Sequence, residues 1–123
     1  MNGFFAVAAG LCLITVAFHC VAGGARVVRP MLASGDLNQT VKAVLYGCWH
    51  AFTLLYLGVA AAFALAAFSP AEMVLAKAGA TMAAMLAVLS ALVIRQFGQR
   101  FTRLPHWFLF ALTAFFGFLG IAA

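Results

Sequence analysis

GFFAVAAGLCLITVAFHCVAGG, residues Gly3–Gly24, carries no charged side chain over its whole length. An α-helix rises 1.5 Å per residue, so about 20 apolar residues cross a hydrocarbon core of ~30 Å. This stretch is therefore long enough to span a bilayer. Three further apolar runs follow, Ala43–Phe68, Ala71–Ile94 and His106–Ala123. The expected fold class is an all-α integral membrane protein, with one transmembrane domain covering residues 1–123 and four spans of about 3–24, 43–68, 71–94 and 106–123.

Composition points the same way. Hydrophobic residues make up 67% and charged residues 7% of the chain, against about 45–50% and about 25% in soluble domains. The formal net charge of +5 does not indicate nucleic-acid binding, because the cations are thinly spaced and flank the apolar runs, as they do in membrane proteins. Cys12, Cys20 and Cys48 lie inside those runs and form no CxxC; a thiol there behaves as a small apolar group. A cleavable signal peptide opens with a basic region and has an apolar stretch of about 7–15 residues. The leader here is Met-Asn-Gly and the run is longer, so a retained first span is expected.

The basic residues orient the spans. Arg26, Arg29 and Lys42 bracket the first loop and Arg95, Arg100 and Arg103 the third, whereas the second has only Lys77, beside Glu72 and partly inside span three. Excess Lys and Arg mark cytoplasmic loops, which places loops one and three in the cytoplasm and both termini outside. In a bacterial inner membrane the outside is the periplasm. Lys77, about one turn inside its span, is expected to snorkel to the headgroups.

Turn chemistry agrees with these boundaries. Pro30 and Ser34-Gly-Asp-Leu-Asn-Gln-Thr40 break the first apolar pattern and offer Asp36, Asn38 and Thr40 as caps for span two. Ser69-Pro70-Ala71-Glu72 supplies a cap, a first-turn proline and a first-turn acid. Pro105 opens span four, with Trp107 and His106 at the interface. Short connections favour antiparallel neighbours, so an up-down-up-down four-helix bundle is expected. Small residues at four-residue steps, Ala76, Ala80 and Ala84 with Ala83, Ala87 and Ala91, together with Gly58, Ala62, Ala66, Gly117 and Gly120, allow close helix approach within the bundle or in a homo-oligomer. The Phe115, Phe116 and Phe118 cluster reads as lipid-facing bulk.

The polar residues inside the spans carry the functional information. His19 lies seven residues before Arg26 and His50 eight after Lys42, so both sit about 10–12 Å from the cytoplasmic flank. Cys12, Thr15, His19, Gly23 and Arg26 follow helical spacing on span one, and Tyr46, His50 and Thr53 on span two. Intramembrane polar side chains usually face the bundle interior, and His19 and His50 are expected to approach each other. Four uses are open to the pair: a hydrogen bond that pins the helices, ligation of a b-type haem with Arg26 or Arg29 near the propionates, transition-metal binding with Cys20 or Cys48, and a proton relay through Tyr46. The first is preferred. Cys48 and His50 fall on opposite faces of a helix, which disfavours a metal.

The absence of other motifs narrows the function. The only acids are Asp36 in a loop and Glu72 at a boundary, whereas ion-coupled exporters bind their ion on a membrane-embedded carboxylate. GxSxG, a glycine-rich phosphate loop and HExxH are all missing.

His19-Cys-Val-Ala-Gly23, followed by Arg26, Arg29-Pro30 and Trp49-His50, resembles the HxxxG…RP…WH pattern of small four-span bacterial inner-membrane proteins. Their pattern often continues HxxxGE, and here Gly24 stands where the acid would be. The resemblance covers mainly the first half of the chain; it implies four spans and no activity. The expected role is a non-catalytic accessory or structural bundle in contact with lipid and with other membrane proteins or its own copies. The alternatives are a haem- or metal-binding redox protein using His19 and His50, and a small transporter or channel subunit with a histidine relay.

Overall fold

A computed structural model describes residues Met1–Ala123 as four helices without strands: α1 (Gly3–Ala33), α2 (Gln39–Phe68), α3 (Met73–Gln96) and α4 (His106–Ala122). The first three segments are long and apolar enough to cross a membrane. At 30 residues, α2 is about 45 Å long. The fourth helix is apolar but has 17 residues, about 26 Å, and is shorter than the full span expected of it.

The helix ends follow local chemistry. Asn2 caps α1, its Oδ1 accepting from the amides of Phe4 (3.1 Å) and Phe5 (3.3 Å). Of the three caps offered for α2, Asn38 is used, accepting from the Val41 amide at 3.0 Å. The helix therefore begins at Gln39, ahead of the apolar run. Ser69 makes no side-chain cap, contrary to expectation. Its carbonyl instead accepts from the Glu72 amide, closing a 3₁₀ turn through Pro70–Glu72 that leads directly into α3. Gly98, at φ +59°, ends α3 in the left-handed conformation that a side chain disfavours, and the Gln99 amide reaches back to the Ile94 carbonyl at 2.9 Å.

The largest departure from expectation is in α1. The helix does not stop at Gly24 but continues to Ala33, and His19–Val28 is wound as a π-helix. Bonding from i to i+5 widens each turn. The buried positions there step by four and then five, His19, Gly23 and Val28. Arg26, which α-helical spacing puts on the inner stripe, consequently faces out. Pro30 breaks nothing, because it falls in the first turn of the closing α segment.

Packing follows the small residues. The α1 N-terminus meets two helices at once: the Asn2 amide donates to the Ala67 carbonyl (2.7 Å) and Asn2 Nδ2 to the Gly120 carbonyl (2.9 Å). The Phe5 ring lies over Gly120, where a Cβ would stand 2.5 Å from it. Phe5 also meets Phe63 of α2, with centroids 6.1 Å apart. Ala76, Ala80 and Ala83 of α3 are buried, and so are Ala66, Gly117 and Gly120. Gly58 is not part of this contact. It faces outward, while Tyr56, Val59, Phe63 and Ala67 form the inner face of α2. Of the phenylalanine cluster on α4, Phe115 and Phe118 are exposed, whereas Phe116, expected to face out with them, is half-buried and packs against the core.

Candidate functional site

The polar groups of the interior occupy two levels. At mid-height lie Cys12, Thr15, Tyr56 and Thr113, all fully buried. Thr15 and Thr113 donate to the carbonyls four residues back, Leu11 at 2.8 Å and Leu109 at 2.9 Å, which satisfies a hydroxyl within its own helix. The Tyr56 hydroxyl has no hydrogen-bond partner. Its ring is held by Phe52 and Phe110, with centroids at 5.5 and 5.2 Å.

Nearer the end that carries the cations, the π-helical turn delivers His19 to α2. Its imidazole stacks on the Trp49 indole, with centroids 3.7 Å apart and planes at 18°, and touches Phe52 at 4.7 Å. Gly23 makes the approach feasible: a Cβ there would stand 2.5 Å from Trp49 Cη2. His19 Nε2 lies 3.3 Å from the Trp49 carbonyl oxygen. A carbonyl can only accept, so Nε2 carries the hydrogen, and in the neutral ring Nδ1 keeps its lone pair. Thr53 Oγ1 donates to the same carbonyl, also at 3.3 Å.

His19 lines a cavity of about 330 Å³ together with Trp49, Phe52, Ser90, His106 and Phe110. His106, expected at the interface, is half-buried and lines this cavity. Its ring meets Phe18 edge-on at 6.0 Å and stacks over Phe110 at 6.4 Å.

His50 is elsewhere. Its ring is exposed and stands edge-on to Tyr46 at 4.4 Å. It lines a second pocket of about 440 Å³ with Cys20, Gly24, Arg29, Tyr46 and Trp49. His19 and His50 share no hydrogen bond or ring contact; Trp49, which lines both pockets, is the partner that His19 finds. The two imidazoles therefore do not face one space in which a haem iron could sit, and no three His, Cys, Asp or Glu residues converge to hold a metal ion.

The remaining sequence-predicted residues are placed as follows. Of the expected polar stripe, Cys12 and Thr15 are interior, Thr53 is half-buried and Tyr46 is exposed. Arg26, Arg29, Arg95, Arg100, Arg103 and Lys77 are exposed. Trp107 donates from Nε1 to the Phe101 carbonyl at 3.2 Å, tying the third loop to α4. Sequence reasoning named Trp49 only within the Trp49-His50 motif and passed over Tyr56, Ser90 and Thr113. A signal for Trp49 and Tyr56 existed, since Trp49, Phe52 and Tyr56 recur at helical spacing as an aromatic stripe on α2. Comparison with known protein families, with characterised proteins and with solved structures returns no match.

Proposed function

We propose that this chain is a multi-pass protein of the bacterial inner membrane, an antiparallel up-down-up-down bundle with a non-catalytic role in association with other membrane components. The observation that carries this is the outer surface. Leu13, Ile14, Leu54, Leu65, Met85, Val88, Leu92 and Phe115 all face outward on their helices, an apolar coat far larger than a water-soluble monomer exposes. Contact register supports alternating helix direction. Asn2 meets Ala67 and His19 meets Trp49, so α2 runs back as α1 advances. Asn2 meets Gly120 and Phe18 meets His106, so α4 does the same. Arg26, Arg29, Arg95, Arg100 and Arg103 then gather at one end, the cytoplasmic end by the positive-inside rule.

Two measurements test this. Single cysteines introduced as Ser34→Cys, Ser69→Cys and Gln99→Cys, with Cys12, Cys20 and Cys48 replaced by alanine, should show Ser69→Cys alone labelled by an impermeant maleimide from outside. Labelling of Ser69→Cys only from the cytoplasm overturns the orientation. Native electrophoresis of gently solubilised membranes should place the chain in particles larger than its monomer. Purely monomeric migration, or a Soret band in the purified protein, overturns the accessory role.

A further inference from the structure

The cavity on α1, α2, α3 and α4 combines four features. Its walls are aromatic, with Trp49, Phe52 and Phe110 among the lining residues. Its volume of about 330 Å³ is at the small end of ligand pockets, enough for one substituted ring. Leu89 and Val93 line it and also lie on the outer face of α3, so its mouth opens on the side that meets lipid. Its polar lining is unspent. Ser90 makes no hydrogen bond, whereas Thr15, Thr53 and Thr113 each bond the carbonyl four residues back. His19 has its Nε2 hydrogen committed to Trp49 and its Nδ1 lone pair free. The His106 imidazole makes no hydrogen bond, and in its neutral form has one donor and one acceptor to give.

A ligand matching this lining is a flat ring with polar hydrogens to give and oxygens that also accept, attached to an apolar tail that leaves through a lipid-facing mouth. We propose that the cavity binds the head ring of a membrane-dissolved quinol, a para-dihydroxylated aromatic ring on an alkyl or isoprenoid chain. One ring hydroxyl donates to His19 Nδ1. The ring stacks among Trp49, Phe52 and Phe110, and Ser90 and His106 serve the oxygens. Access from lipid rests on the membrane placement proposed above, but the pocket chemistry does not.

The test uses the full chain purified in detergent, with Trp107→Phe so that Trp49 is the only indole. A decyl-substituted dimethoxy-methyl-benzoquinol is titrated without oxygen. Trp49 emission is followed, and protein-bound ring is counted after gel filtration. Saturable uptake approaching one ring per chain is expected. His19→Phe keeps an aromatic stack on Trp49 but removes the acceptor, and should weaken binding about threefold to tenfold, the worth of one neutral hydrogen bond. The oxidised benzoquinone, which has no hydrogen for Nδ1, should bind more weakly than the quinol by a similar factor. Val93→Phe fills the cavity from its mouth without touching the polar groups or adding an indole, and should abolish saturable uptake while circular dichroism stays helical. Uptake linear in probe and equal in wild type and Val93→Phe is micelle partition and overturns the proposal; so does equal affinity for quinone and quinol. Because binding is read in detergent, a failed topology experiment leaves it standing, and linear uptake leaves the membrane placement standing.

Discussion

Gly23 and Gly24 are adjacent, both lie in the π-helical segment, and only one is packed against a neighbour, which makes them a matched pair. A Cβ at Gly23 would stand 2.5 Å from Trp49 Cη2 and 3.0 Å from Cζ2, while a Cβ at Gly24 meets nothing within 4 Å. Alanine at either site gains helix propensity, worth about 0.8–1.0 kcal/mol in an α-helix. At Gly23 the indole must also move. It is not free to do so, because the His19 ring covers its face at 3.7 Å. Overpacking of this kind costs about 1–3 kcal/mol. Propensity cancels between the two variants, so Gly23→Ala should be less stable than Gly24→Ala by about 1–3 kcal/mol. The assay is reversible unfolding in mixed micelles by increasing dodecyl sulfate, followed by helical circular dichroism. Trp49 emission, read with Trp107→Phe, should shift in Gly23→Ala alone. Equal stability and unchanged emission in the two variants would show that Trp49 does not rest on Gly23, and the His19 stack would have to be abandoned with it.

Other perturbations give separate readings in the same assay. Asn2→Ala removes a cap and the bond to the Gly120 carbonyl and should cost about 1–2 kcal/mol; an unchanged unfolding midpoint would mean the Asn2 side chain does not tie α1 to α4. Tyr56→Phe deletes a buried hydroxyl without a partner, so stability should hold or rise by about 1 kcal/mol, and a loss above that would reveal a bond to Cys12 or Thr113. His50→Gln changes an exposed ring and should stay within about 0.5 kcal/mol of wild type. A larger loss, or the disappearance of a Soret band with helices intact, would restore His50 to a structural or ligating role.

Four apolar runs, Asn38 as one of three candidate caps, Pro70 and Pro105 at helix starts and the cation bias were readable in the sequence because each depends on a few consecutive residues: hydropathy over a window, a side chain reaching its next amides, charge beside a span. The choice of inner face was not. In a bilayer both the bundle interior and the lipid are apolar, so the periodicity that marks a buried face in water is weak. Gly58 and Ala66 look alike in sequence, yet one faces out and the other in. Nor could local rules foresee the π winding of His19–Val28, which re-phases α1, turns Arg26 outward and sets His19 on Trp49. Equal depth on neighbouring helices suggested a His19–His50 pair, but depth fixes only height along the axis. Rotation about it is set by what packs, and an indole lying on Gly23 and beneath an imidazole gave His19 to the cavity of His106 and left His50 outside it.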